Sequence, residues 1–197
     1  TLGLIIPSLD NLGFADVTHG IQAAAAAAGK LVMVVEAEAV AEAAHGAYQR
    51  LIGDGRLDGL IVAFASIDDD LVAQLVERDI PLVLVNRRTN RVHGSVVVDD
   101  ERGSRLAVEH LLALGHRRVG FLGIDADTAT ARRRLSGYGA AMAAAAIDPR
   151  PGWITAGPPT EEGGRLAIRD VLSTPVDERP SGYFVASLMS AIGALAE

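Results

Sequence analysis

The sequence contains no cysteine among its 197 residues, and aromatic residues make up only 4% of it. The absence of cysteine excludes disulfide scaffolds, cysteine-based zinc sites, thiol nucleophiles and iron–sulfur clusters. Basic residues are in deficit, because 18 Lys and Arg stand against 25 Asp and Glu, which gives a formal net charge of −7. Since neutralising phosphates requires an excess of Lys and Arg, we do not expect this chain to bind nucleic acid through its own surface.

Long hydrophobic runs are missing as well. The apolar stretches, such as residues 60–65, are far shorter than the roughly 20 residues that a membrane-spanning helix needs. No basic segment followed by an apolar one opens the sequence, so we expect no membrane partner. Hydrophobic residues at 49% and charged residues at 22% are ordinary for a globular protein and predict a folded core.

The sequence alternates short apolar runs with amphipathic helical patterns. Residues 2–6 form an aliphatic run that ends at Pro7, as expected of a strand buried on both faces, and helical spacing follows up to Gly29, which is placed to end a helix. Further strands are predicted at residues 31–35, 60–64, 81–85, 95–98, 118–123, 153–155 and 183–186. Further helices are predicted at residues 40–51, 68–78, 103–114, 130–146, 160–172 and 189–196.

Strands separated by helix-length segments are typical of parallel βαβ units. The periodicity lapses between Arg87 and Gly94, and a short apolar run follows before Asp99, which marks a domain crossover. We therefore predict an α/β fold with two doubly wound parallel-sheet lobes, residues 1–98 and residues 99–197. The second lobe has about three strands, below the roughly four to six of a usual sheet, so we expect it to be incomplete.

A search for catalytic motifs predicts that the chain is not an enzyme. The turn after the first strand, residues 7–13, lacks the Gly-x-Gly-x-x-Gly pattern of dinucleotide sites, and neither a phosphate-binding Gly-Lys-Ser/Thr loop nor a Gly-x-Ser-x-Gly elbow is present. The five histidines are scattered, without the spacing of a helical zinc site. We accordingly predict no catalytic residue, no metal site and no cofactor.

Two charged runs leave alternatives open. The acidic run at residues 99–101 has the oxygen ligands that magnesium prefers, but acids before a helix also cap it and favour its positive end. The arginine run at residues 132–134 is either a solvated face or a site for a phosphate or carboxylate. Successive helical residues point about 100° apart, so one or two of the three arginines can face one ligand. Arg134 is the best candidate, because it follows a strand-to-helix turn, where open α/β sheets bind ligands.

Several segments together resemble the effector-binding core of lactose-repressor-type (LacI/GalR) bacterial transcription regulators. The most specific is Leu-Gly-His-Arg-Arg-Val-Gly-Phe-Leu-Gly at residues 114–123. The others, in order along the chain, are residues 3–7, 11–15, 58–61, 81–87, 97–103 and 130–138. The resemblance extends over essentially all of the sequence.

This resemblance implies the type I periplasmic-binding-protein fold, in which two similar α/β lobes hold a small ligand in a cleft. It also implies a cytoplasmic, homodimeric regulator whose effector, a sugar or related polar metabolite, alters operator binding by an attached helix-turn-helix domain. That domain precedes the position of Thr1 in the family and is absent from this sequence, and the family core continues past the position of Glu197. The alternative with the same fold is a periplasmic sugar-binding protein of an ABC transporter.

The resemblance further implies six ligand-binding residues, which are Asn11, Phe14, Asn86, Thr130, Arg134 and Ser187. Phe14 would offer an apolar wall, and Arg134 would be the main hydrogen-bond donor, because its planar fork holds several donors in fixed positions. Each has a purely structural alternative: Phe14 as core, Asn86 as a turn residue and Ser187 as a helix cap. An acid usually follows the position of Ser187 in the family, whereas Leu188 follows it here.

Overall fold

The computed structural model describes residues 1–36, 57–63, 73, 75–78, 80–88, 94–123 and 128–197. The chain divides into two compact units, Thr1–Val98 and Asp99–Glu197. The first contains a parallel sheet of five strands and the second a parallel sheet of three. This confirms the predicted α/β fold with two parallel sheets, the second of them short. The helix predicted at residues 40–51 lies outside the described residues, as does much of the one at 68–78.

The first unit has the strand order β2-β1-β3-β4-β5, with every pairing parallel. Its strands are β1 (Leu2–Ile6), β2 (Val32–Glu36), β3 (Gly59–Val62), β4 (Leu82–Val85) and β5 (Gly94–Val96). Strand β1 lies inside this sheet, and its Leu4, Ile5 and Ile6 are completely buried. Burial on both faces explains why the opening run is aliphatic without a polar interruption.

Helix α1 (Ala15–Ala27) follows β1 through a 3-10 turn at Leu12–Phe14. Its inward residues pack on the core formed by Leu4, Ile6, Ala63 and Val85. The chain leaves the helix through Gly29, whose φ of +66° lies in the left-handed region that only glycine adopts readily. The helix end predicted at Gly29 is therefore where the structure has it.

The second unit has the strand order β7-β6-β8, again with parallel pairings. Its elements are α2 (Asp100–Ala113), β6 (Val119–Leu122), α3 (Ala129–Ala144), β7 (Ile154–Thr155), α4 (Glu161–Leu172), β8 (Gly182–Val185) and α5 (Leu188–Leu195). Helices α1 to α5 have 8 to 16 residues. Within the described part of the chain, no helix is long and apolar enough to cross a membrane.

Helix α2 begins three residues before the predicted start at residue 103, so that prediction was wrong at this end. The reason is a cap, because a carboxylate oxygen of Asp99 accepts a hydrogen bond of 3.0 Å from the backbone N–H of Arg102. The capping interpretation of the acidic run is confirmed for Asp99. Asp100 does not cap the helix but lies in its first turn, where an acid favours the positive end of the helix as expected, and its side chain has a different partner, described below.

The core of the second unit is built around aromatic residues of β6 and α3. The rings of Phe121 and Tyr138 lie 5.3 Å apart, and Met142 and the single tryptophan, Trp153, are buried in the same cluster. The Tyr138 hydroxyl donates a hydrogen bond of 2.9 Å to the carbonyl oxygen of Val119. A buried hydroxyl with a partner is stable in this core only while it keeps its proton.

The second unit is therefore expected to lose stability at high pH. Burial raises the pKa of Tyr138 from 10.0 to about 12. Because the folded form binds this proton more tightly than the unfolded form, the stabilisation is complete below about pH 10 and is lost as the pH rises through about 12. Urea unfolding followed by Trp153 fluorescence at about pH 9 and at about pH 11.5 measures this loss. The Tyr138→Phe variant should lose less stability over the same interval, and an equal loss in both proteins would contradict the assignment.

Candidate ligand-binding site

The candidate site of the second unit lies where its strands end. Arg134 is in the second turn of α3, the helix that follows β6, and the Thr128 hydroxyl caps this helix by accepting from the backbone N–H of Ala131 at 3.1 Å. The Arg134 guanidinium donates through Nη1 to the carbonyl oxygen of Ala186, which directly follows β8. Arg134 thus lies at the carboxyl edge of the parallel sheet, the edge where open α/β sheets bind ligands.

Two arginines of α3 bind one buried carboxylate. Arg133 donates to Oδ2 of Asp100 from Nη2 at 2.8 Å and from Nε at 3.2 Å, and Arg134 donates from Nε to Oδ1 at 3.0 Å. The Asp100 side chain is only 2% exposed, whereas those of Arg133 and Arg134 are 33% and 27% exposed. We call Asp100, Arg133 and Arg134 the arginine–aspartate cluster. It carries two positive charges and one negative charge, and its arginines remain partly open to solvent.

Ser187 and Thr130 are the other two site residues predicted in the second unit. Ser187 follows Ala186 and caps α5: its hydroxyl oxygen accepts from the backbone N–H of Ser190 at 3.1 Å, and the two hydroxyls are 3.0 Å apart. The capping alternative for Ser187 is therefore what the structure shows. Thr130 is buried and lies four residues before Arg134, which places both on the same face of α3.

The three residues expected in the first unit follow the carboxyl ends of its strands. Asn11 lies in the connection after β1, where its side-chain oxygen accepts from the backbone N–H of Gly13 at 3.1 Å, and Phe14 is half-buried against the core. Asn86 directly follows β4 with a φ of 63°, and its backbone N–H donates to the Val96 carbonyl at 2.8 Å. Strands β1, β3 and β4 are parallel neighbours in this order. The residues that follow β1 and β4 therefore lie at the same carboxyl edge of the first sheet.

The sequence interpretation missed Asp100 and Arg133. Residues that are adjacent in a helix point about 100° apart, so only a carboxylate from another element can bring both arginines to one point. The sequence carries no local signal for this arrangement. Gly137 explains it only once the structure is known, because a Cβ at this position would lie 2.1 Å from the Glu101 carbonyl oxygen and would keep α3 from approaching α2 so closely. This approach brings Asp100 to the two arginines. Within the described residues, no group of histidine and acidic side chains could hold a metal ion, and Asp100 is paired with arginines.

Comparison with known proteins shows the family. The model for periplasmic binding proteins and the sugar binding domain of the LacI family matches residues 1–186. The chain belongs to this family. The resemblance on which the sequence interpretation rested is thereby confirmed.

Three relatives illustrate the family membership. The chain is 25% identical to the HTH-type transcriptional repressor PurR of Aliivibrio salmonicida over 199 residues, which cover 100% of this chain and 59% of PurR. It is 29% identical to the HTH-type transcriptional regulator GalR of Salmonella typhimurium, with 87% of this chain and 50% of GalR covered. The crystal structure of a LacI family transcriptional regulator from Mycobacterium smegmatis is similar with a TM-score of 0.87 and 33% identity, covering 100% of this chain and 71% of that one. The chain thus spans between half and three fifths of the two curated relatives.

Proposed function

We propose that this chain is the effector-binding part of a ligand-responsive transcriptional regulator. A small polar metabolite binds at Arg134 and alters operator binding by an attached helix-turn-helix domain. The observation that carries this proposal is the Arg134 guanidinium at the carboxyl edge of the second sheet, held by Asp100 and the Ala186 carbonyl yet 27% exposed. The family supports it, since PurR and GalR are named as transcriptional regulators.

The chemistry of Arg134 narrows the class of effector. A guanidinium is a planar set of donors with no acceptor, so its ligand must supply oxygen or nitrogen acceptors in a matching plane, as sugars, sugar phosphates and nucleobases do. The remaining proposed contacts are Asn11, Phe14, Asn86, Thr130 and Ser187. The amides and hydroxyls among them bind polar ligand groups, and the Phe14 ring offers an apolar face. Because the cap at Ser187 already uses its hydroxyl, we place Ser187 last among them.

The mechanism is coupling without catalysis. A ligand shifts a protein between two conformations only if it binds one of them more tightly. An effector that binds one conformation of this core more tightly therefore raises the population of that conformation, and the DNA affinity of the attached domains changes with it. We propose a cytoplasmic homodimer, since two recognition helices related by a twofold axis match palindromic half-sites. The acidic chain itself would take no direct part in DNA binding.

The second candidate function is a periplasmic sugar-binding protein of an ABC transporter, since the family description names periplasmic binding proteins beside the sugar binding domain of the LacI family. The names of the relatives favour the regulator. The coding sequence upstream of Thr1 discriminates the two functions. The gene of a regulator encodes a helix-turn-helix domain there, and the gene of a transport protein encodes an export leader. An export leader would contradict the regulator.

The function is tested on the complete product of the gene. Thermal unfolding is first measured with D-ribose, D-glucose, fructose 1-phosphate and adenine, and the compound that raises the melting temperature most is taken forward as the probe compound. DNA sites are then selected from a random library, and their affinity is measured with and without the probe compound. We expect a change of about fivefold or more, since allosteric coupling energies lie near 1–3 kcal/mol. A probe compound that binds but leaves DNA affinity unchanged contradicts the proposal.

A further inference from the structure

The arginine–aspartate cluster contains a buried charge that helix formation does not require. Asp99, and not Asp100, caps α2, so Asp100 is not needed to satisfy the first backbone N–H groups of this helix. A carboxylate with 2% side-chain exposure loses most of its hydration, which is costly unless hydrogen bonds from cations replace the water. Asp100 has such partners only because α3 presents two arginines to it.

Helix α2 binds both the backbone and the side chain of Arg134. The Ser104 hydroxyl donates to the backbone carbonyl oxygen of Arg134 at 2.6 Å, and Asp100, one turn earlier on the same face of α2, binds the Arg134 side chain through Nε at 3.0 Å. With the bond from Nη1 to the Ala186 carbonyl, the plane of the guanidinium is fixed by partners on two of its edges. A free arginine side chain loses rotamer entropy when a ligand orders it, whereas the Arg134 side chain is already ordered by its partners in the protein.

Arg133 keeps the cluster cationic. If Asp100 were paired with Arg134 alone, the two charges would cancel at the place where the ligand binds. Because Arg133 also binds this carboxylate, at 2.8 Å and 3.2 Å, the three side chains retain one net positive charge. A guanidinium in such a cluster still attracts the acceptor atoms of a ligand.

We propose that Asp100 is a positioning residue for effector binding, which sets the orientation of the Arg134 guanidinium, and that Arg133 balances its charge. This inference rests on the proposed function, in which Arg134 contacts the effector. It adds that the affinity of the site depends on a residue that need not touch the effector. The same inference assigns a role to the close approach of α2 and α3 at Gly137, which brings Asp100 to Arg134.

Asp100→Asn tests the inference, because it keeps the shape of the side chain and removes its charge. The first readout needs no ligand: the exchange with water of the Arg134 Nε–H proton, followed by NMR and assigned by the loss of its signal in Arg134→Lys. We expect this exchange to become faster by about tenfold or more in Asp100→Asn, as a charge-assisted hydrogen bond is weakened. The matched control is Glu101→Gln, the same change at the next, exposed position of α2, which should leave the exchange rate unchanged.

The second readout is the dissociation constant of the probe compound, measured well below the melting temperature so that a loss of stability alone does not change it. We expect binding to weaken by about tenfold or more in Asp100→Asn and not in Glu101→Gln. The double variant Asp100→Asn/Arg133→Gln has the same net cluster charge as the wild type and guards against misfolding caused by unpaired charge. It should bind as weakly as the single variant.

The outcomes separate the two proposals. Unchanged Nε–H exchange in Asp100→Asn, or wild-type affinity in this variant, overturns the positioning role while leaving the proposed function intact. Wild-type affinity in the double variant shows that only net charge matters, which also overturns it. Wild-type affinity in Arg134→Ala instead overturns the proposed contact between Arg134 and the effector.

Discussion

Gly193→Ala is expected to destabilise the second unit by about 3 kcal/mol, an overpacking cost at the upper end of the usual range. A Cβ on Gly193 would lie 1.8 Å from the carbonyl oxygen of Glu161, and one on Gly164 would lie 1.9 Å from the carbonyl oxygen of Ser190. Helices α4 and α5 therefore cross through two glycines, each facing the backbone of the other helix. Backbone atoms cannot rotate aside as a side chain can, so a methyl group here forces the helices apart.

The measurement is thermal unfolding followed by Trp153 fluorescence. For a unit of this size, about 3 kcal/mol lowers the melting temperature by about 10 °C or more. Gly139→Ala is the matched control, since it is the same change within α3 and a Cβ there meets nothing within 4 Å. It should leave the unit unchanged or stabilise it by about 0.5–1 kcal/mol, because alanine favours a helix over glycine. Equal melting temperatures for Gly193→Ala and Gly139→Ala would contradict the tight crossing.

The alternation of strands and helices could be predicted from the sequence because burial imposes a visible pattern. Strand β1 is buried on both faces and therefore reads as an unbroken aliphatic run, and Gly29 ends α1 because its left-handed conformation suits glycine. These constraints are local, so each can be recognised from the residue types within a few positions of the chain. The short second sheet could be predicted for the same reason, by counting the apolar runs.

What could not be predicted depends on contacts between distant segments. Asp99 and Asp100 are chemically identical neighbours, yet one caps α2 and the other binds two arginines more than thirty residues away. Their difference arises from the packing of α2 on α3, which hydrophobic periodicity does not encode. The crossing of α4 and α5 is similar, because glycines in a helix read as weak points until their opposite backbone is known.

The candidate site was predictable in part. Arg134 could be selected from three consecutive arginines because it follows a strand-to-helix turn, and the structure places it at the carboxyl edge of the sheet. Asp100 and Arg133 could not be selected, since their role depends on the packing of α2 on α3. The ligand contacts at all six residues, which are Asn11, Phe14, Asn86, Thr130, Arg134 and Ser187, stay predictions.

Arg134→Ala is expected to remove most of the stabilisation of this protein by its effector. At a ligand concentration of about 100 times the wild-type dissociation constant, binding stabilises the folded form by about 2.7 kcal/mol, and a hundredfold weaker affinity leaves only about 0.4 kcal/mol of this stabilisation. Removing Arg134 takes away the donor fork but leaves Asp100 paired with Arg133, so the buried carboxylate keeps a counter-charge and the fold is retained. Arg134→Lys keeps the charge without the planar fork and should restore only part of the affinity.

Arg105→Ala is the control for this experiment. Arg105 is an exposed arginine of α2 whose ion pair with Glu109 spans 3.4 Å on the surface, and such exposed pairs contribute little to stability. Its loss should change neither the melting temperature nor the affinity for the probe compound. A shared loss of affinity in both variants would point to a general effect of removing positive charge.

Calorimetric titration of the wild-type protein, Arg134→Ala and Arg105→Ala with the probe compound tests the central claim most directly. The account predicts that Arg134→Ala binds it about a hundredfold more weakly than the wild type, which corresponds to about 2.7 kcal/mol, within the range for hydrogen bonds to charged groups. It predicts wild-type affinity for Arg105→Ala. The same dissociation constant in all three proteins would contradict an effector site at Arg134.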